Sequence, residues 1–160
     1  GGIRAFNVEE ALAYKNKILW KYVAAGGNLL IQYNTSRRLK TTELTPLKLN
    51  LSRDRVSNEK AEVQIINPKH PILNHPNKIT SQDFEGWVQE RGLYFPNQWD
   101  AQFTPLLQMN DAGESPKKGS LLVAPYGKGR IVYTGLSFFR QLPAGVPGAY
   151  RLFFNLIAKP

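Results

Sequence analysis

The 160-residue chain contains no cysteine, a single methionine and two histidines. Without a thiol there is no disulfide, no thiolate nucleophile and no cysteine-ligated zinc. Both histidines stand before proline, as His70-Pro71 and His75-Pro76. Even joined by Asp83 or Glu85 they offer fewer nitrogen ligands than tetrahedral zinc usually takes. No apolar run approaches the ~20 residues of a membrane-spanning helix, so membrane insertion is not expected. The start Gly1-Gly2-Ile3-Arg4 has no signal-peptide core. No serine occupies a Gly-x-Ser-x-Gly elbow; Gly135-Leu136-Ser137 comes closest, and there Ser137 is expected to cap a turn. Gly127-Lys128-Gly129 lacks the spacing of a phosphate-cradling loop and reads as a turn. These absences leave no catalytic residue, metal ligand or cofactor site to name, so the chain reads as non-enzymatic.

What is present describes one α/β domain over residues 1–160. Hydrophobic residues make up 42% and charged residues 21%, a globular balance with enough apolar material for a core. Gly1-Gly2 with no initiator methionine leads us to expect a tag remnant and an excerpt of a larger multidomain protein. The formal charge is +9, from 21 Lys+Arg against 12 Asp+Glu. Such a balance suits nucleic acid or an anionic surface. The basic residues are nevertheless scattered along the chain, and only Arg37-Arg38-Leu39-Lys40 forms a short cluster. Specific nucleic-acid binding is therefore not expected.

Asn7 with Glu10 three residues later is a capping-box pattern, predicting a helix that runs to Gly26-Gly27 and turns Val8, Leu12, Leu19, Tyr22 and Val23 to one face. The apolar run Asn28 to Tyr33 suits a strand covered on both faces. A helix feeding such a strand is half of a βαβ unit, so a preceding strand is expected to end near Ile3 to Phe6. Further strands are expected at Pro46–Leu51, Ala61–Ile66, Val88–Phe95 and Thr104–Met109, a helical turn at Thr80–Asp83, and a loop at Pro96–Asp100. Ser120–Ala124 and Arg130–Thr134 flank Tyr126-Gly127-Lys128-Gly129 as a β-hairpin. Tyr150, Phe153, Phe154 and Ile157 recur at helical spacing and predict a C-terminal helix packed on the sheet.

Two segments carry binding chemistry. Asp83-Phe84-Glu85-Gly86-Trp87-Val88-Gln89-Glu90-Arg91 sets carboxylates beside an indole, a combination that holds sugars by stacking and by accepting from hydroxyls. Gln32-Tyr33-Asn34 closes the buried strand, the edge at which open α/β sheets bind ligands. Gln32, Tyr33, Asn34, Trp87, Glu90 and Arg91 are the candidate ligand contacts. Core packing of Trp87, a salt-bridged rim at Glu90 and Arg91, and loop anchoring by Gln32 to Asn34 are the structural alternatives.

Two runs, His70-Pro71-Ile72-Leu73 through Phe84-Glu85-Gly86-Trp87, then Tyr126-Gly127-Lys128-Gly129-Arg130-Ile131-Val132-Tyr133-Thr134-Gly135-Leu136, resemble the class I glutamine-amidotransferase-like superfamily, in style its trehalose-utilisation (ThuA-like) branch. Ser52-Arg53-Asp54-Arg55-Val56, Gly86–Phe95 and Leu136–Leu152 are similar to the C-terminal domain of bacterial PIG-L/LmbE-type deacetylases. The resemblance implies a flavodoxin-like three-layer sandwich that is N-terminally truncated. It also implies a deacetylase-like domain of the same chain as partner, and an exported bacterial protein. The His-Pro-Asp-Asp signature of the deacetylase domain has no match here. The amidotransferase cysteine would fall at Gln32-Tyr33-Asn34, where no thiol can form an acyl-enzyme. The expected function is accordingly a non-catalytic accessory or substrate-recognition module, with a glycan as its expected ligand. The alternatives are a docking or homo-oligomerisation domain presenting Phe138, Phe139 and Trp99, and a metal-dependent hydrolase built on Asp83 and Glu85.

Overall fold

The hairpin is the centre of the fold. In the computed structural model, which describes residues 2–159, β7 (Leu121–Tyr126) and β8 (Gly129–Thr134) pair antiparallel with Tyr126 opposite Gly129. Gly127 opens the two-residue turn at φ 58°, a conformation that primed hairpin turns demand and that glycine adopts without strain. A Cβ there would lie 2.6 Å from the Ala24 carbonyl oxygen, so the turn also docks tightly on the helix before it.

β1 (Asn28–Ile31) runs parallel to β8, and β5 (Thr104–Pro105) runs antiparallel to β7, giving the order β1-β8-β7-β5. The chain is thus mixed α/β, and its sheet is mixed rather than wholly parallel. Two further antiparallel ladders stand apart from it: β2 (Leu49–Val56) with β4 (Gly92–Trp99), and β3 (Val63–Ile65) with β6 (Leu107–Met109). The segment Pro96 to Trp99, expected as loop, belongs to β4. Its polar residues face outward on an edge ladder, where alternation does not require continuous apolar content.

Alternate residues of the central hairpin feed two cores. Leu121, Val123 and Val132 join Ala149, Leu152 and Leu156 of α4 (Pro147–Ile157). Leu122, Ile131 and Tyr133 join Phe6 and Val23 on the other side. Val23 belongs to α2 (Leu12–Ala24), which follows the short α1 (Ala5–Val8); α3 (Phe138–Gln141) completes the helices.

Several local expectations are corrected by packing. Residues 5–8 are helical, so no strand forms over Ile3 to Phe6. Asn7 lies inside α1 and caps nothing: its side chain is buried and bound to a distant loop. On α2 the buried positions are Asn16 and Val23, whereas Tyr22 is exposed, as is Val8 at the end of α1. On α4 the buried positions are Gly148, Ala149, Leu152, Asn155 and Leu156, and Phe153 packs partly buried against the core, while Tyr150, Phe154 and Ile157 face outward. The smaller side chains win the inner face because the start of α4 lies hard against the helical turn Ser81–Phe84: a Cβ at Gly148 would lie 2.0 Å from the Asp83 carbonyl oxygen.

Candidate functional site

Beyond β1 the backbone crosses the carboxyl end of the sheet and is pinned there by two buried asparagines. Asn34 accepts the Phe6 N–H at 2.9 Å and donates to the Gln32 carbonyl at 2.7 Å. Asn7 accepts the Thr35 N–H at 2.9 Å and donates to the carbonyls of Thr35 (3.1 Å) and Arg37 (2.9 Å). The Thr35 hydroxyl also donates to the Arg37 carbonyl at 2.9 Å. The next residue, Arg38, sits at φ 59°. This loop is therefore built, and it delivers Arg37 to one side of the sheet end.

The opposite wall comes from the β2–β4 ladder. Successive strand side chains point to opposite faces, so Arg53 and Arg55 share one face and Asp54 takes the other. Asp54 there lines a separate shallow cleft with Trp99 and Lys117. Ser52 closes the irregularity in β2, donating to the Phe95 carbonyl at 2.6 Å while accepting the Asp54 N–H at 2.9 Å. In β4, Tyr94 adopts φ 53°. A bulky residue is rarely found there, at a cost on the order of 1–3 kcal/mol. The left-handed residue breaks the strand's alternation and lets the adjacent Leu93 and Tyr94 line the same space.

Arg37, Arg53, Arg55, Leu93 and Tyr94 enclose an open cleft of about 540 Å³. Tyr94 lies edge-on to Tyr33, with ring centroids 5.8 Å apart and planes at 67°. Tyr33 in turn packs on Phe139 at 5.2 Å, and Arg140 lies 5.0 Å above the Phe139 ring. Arg140 pairs with the buried Glu90 carboxylate at 2.6 Å, and the Ser137 hydroxyl donates to the same oxygen at 2.9 Å. Burial, with the neighbouring Tyr94, pushes the Tyr33 phenol above its ordinary pKa, so Tyr33 is a neutral hydrogen-bonding group at physiological pH.

The six sequence-derived candidates separate in space. Tyr33 and Glu90 belong to the aromatic and ionic support beside this cleft. Gln32 faces the other way, into an apolar groove of about 430 Å³ between α1, α2 and β1. Asn34 is fully buried and serves the loop. Trp87 is 3% exposed. Its ring packs between Phe84 and Phe138, and Nε1 donates to the Asp83 carbonyl at 3.0 Å. Arg91 is buried as well, donating to the Ala61 carbonyl at 3.1 and 2.8 Å and to the Phe84 carbonyl, with Phe84 and Trp87 under its guanidinium. Burial lowers its pKa to about 10. Trp87 and Arg91 border a second cleft of about 390 Å³ rimmed by Glu59, Glu62 and Glu85.

For the alternatives, Asp83 is engaged by Arg151 at 2.7 Å and by the Thr80 N–H at 2.8 Å. Among the described residues no three His, Cys, Asp or Glu side chains gather in a metal-binding group. No helix there is long and apolar enough to cross a membrane. Phe138 is wholly buried and presents nothing to a partner.

The residues that sequence reasoning passed over are Arg37, Arg53, Arg55 and Tyr94. The Arg53-Asp54-Arg55 alternation was a usable signal once β2 is extended to Val56. Nothing in the residue type announces a left-handed tyrosine.

No protein-family model and no curated protein matches the chain. Among solved structures it is similar to the cytoplasmic protein STM3548 from Salmonella typhimurium, with TM-score 0.56 and 16% identity, covering 95% of this chain and 65% of that one. It is also similar to the cytoplasmic protein STM1381 from Salmonella typhimurium LT2, with TM-score 0.53 and 14% identity, covering 93% of this chain and 63% of that one. The chain thus spans less than two thirds of either neighbour. At such identities the likeness is one of fold alone.

Proposed function

We propose that this domain is a non-catalytic recognition module of a larger sugar-conjugate deacetylase-like protein, and that it holds a glycan or glycoconjugate in the cleft between the Arg37 loop and the β2–β4 ladder. The observation that carries this reading is Tyr94. It occupies a strained backbone conformation at φ 53° beside an open cleft, and strain of this kind persists where an aromatic group must be held in one place. Its volume suits a small ligand or one end of an oligosaccharide.

In this reading Tyr33, Phe139, Glu90 and Arg140 hold the tyrosine wall, while Trp87 and Arg91 support the core behind it. The helices on either side of a sheet with β1 parallel to β8 support an amidotransferase-like, flavodoxin-like three-layer sandwich. The deacetylase-like partner domain and an exported location rest on the resemblance of Gly86–Phe95 and Leu136–Leu152 to the PIG-L/LmbE-type proteins.

The test is calorimetry with neutral, N-acetylated and acidic sugars on the wild-type domain and on Tyr94→Gly. Glycine accepts φ 53° without strain, so this variant keeps its stability while losing the ring. Sugar binding that disappears in Tyr94→Gly supports the reading; sugar binding unchanged in that variant, or none in the wild type, refutes it.

A second reading, a docking or homo-oligomerisation domain, is favoured by exposed apolar stripes on two helices: Tyr14, Ile18 and Tyr22 on α2, and Tyr150, Phe154 and Ile157 on α4. Sedimentation of wild type against Ile18→Glu and Phe154→Glu distinguishes it, since a concentration-dependent dimer lost in one variant would favour docking.

A further inference from the structure

We infer that the cleft takes the anionic substituent of an acidic sugar, a sulfate, phosphate or carboxylate group seated between Arg37 and Arg53. This rests on the recognition reading and names its ligand class.

Three guanidiniums line the cleft and no carboxylate does. Arg55 has a partner, Glu114 at 3.2 Å, but that carboxylate is shared with Lys117 at 2.6 Å. Arg37 and Arg53 have no ion-pair partner among the described residues. The nearest acid in the sequence, Asp54, is turned to the opposite face. The chain also carries no acidic residue between Glu10 and Glu43, so the loop bearing Arg37 brings no counter-charge with it.

Converging like charges repel unless an anion joins them, and the planar guanidinium fork matches the geometry of an oxyanion. Here Arg37 is carried by a loop that the buried Asn7 fastens at three points, and Arg53 stands between the Ser52 and Asp54 contacts of a bonded strand. The tyrosine wall beside them supplies a face for the sugar ring, as charged groups alone would not.

The experiment is calorimetry at 50 and 200 mM salt with N-acetylglucosamine 6-sulfate, glucose 6-phosphate, glucuronic acid, their neutral parents, inorganic sulfate and a twelve-nucleotide single strand. Wild type, Arg37→Gln and Arg53→Gln are compared. Both arginines are exposed, so both variants should melt with the wild type. The expected result is a charged sugar preferred over its neutral parent by about tenfold or more, the preference shrinking with salt and vanishing in either variant. Neutral parents binding as tightly as charged sugars would overturn the anion assignment and leave sugar recognition standing. Inorganic sulfate binding as tightly as the sulfated sugar, with loss in Arg53→Gln, would keep the anion site and remove the glycan. Tighter binding of the oligonucleotide than of any sugar, or charged-sugar binding unaffected by both variants, would overturn the inference.

Discussion

The side-chain amide of Asn7 donates to the main-chain carbonyl of Arg37 at 2.9 Å, joining residues thirty positions apart. With its two bonds to Thr35, this contact fixes the loop that walls the basic cleft. Asn7→Ala leaves the Thr35 N–H and carbonyl without their partner and the Arg37 carbonyl with the Thr35 hydroxyl alone. It should lower stability by about 2 kcal/mol in urea titration and weaken acidic-sugar binding without touching a ligand-facing group. Unchanged affinity in a destabilised Asn7→Ala protein would show that the loop needs no such support.

The same residue shows where sequence reading stops. Asn7 and Glu10 have the spacing of a capping box, and the glycine stop exists, but the long helix starts only at Leu12 and the amide is drawn into tertiary contacts instead. The hairpin and the C-terminal helix were legible because their signals are local: two apolar runs flanking a glycine turn, and apolar spacing near 3.6. Which face of α4 turns inward was not legible, since Tyr150, Phe154 and Ile157 are the larger apolar groups and the close approach at Gly148 excludes them. The cleft was half visible. Tyr33 stands at the predicted sheet edge, whereas Arg53 and Arg55 meet Leu93 and Tyr94 only through the β2–β4 pairing, a contact between segments some forty residues apart, and Arg37 joins them from the loop after β1.

Trp87 and Tyr94 should separate stability from binding. Trp87→Ala empties a space between Phe84 and Phe138 and should cost about 3–5 kcal/mol. Trp87→Phe keeps the packing and should bind acidic sugars as the wild type does. Loss of binding in a stable Trp87→Phe protein would move the site to the second cleft beside Glu59 and Glu85.

Arg91→Lys retains the charge but cannot span the Ala61 and Phe84 carbonyls with a planar fork. A loss of about 2 kcal/mol is expected in chemical denaturation, with cleft affinity preserved in the fraction that folds. Equal stability of Arg91→Lys and wild type would contradict the bridging role.

His70 should make stability depend on pH. Its Nδ1 accepts the Ile72 N–H at 3.2 Å, and burial followed by the Arg130 charge lowers its pKa below 6.5. The folded state thus prefers the neutral ring. Its contribution is complete above about pH 6.5 and falls away as pH drops through the lowered folded value, where protonation also removes the acceptor. Urea midpoints should decline over that window, and less so in His70→Asn. The same decline in both proteins would assign the effect to another group.

The most direct measurement is a crystal structure of the domain with N-acetylglucosamine 6-sulfate at low salt. The expected result places the sulfate between the guanidiniums of Arg37 and Arg53, with the sugar ring against Tyr94. A sugar seated instead at the Trp87 cleft, or on the exposed faces of α2 or α4 with the arginine cleft empty, would contradict it.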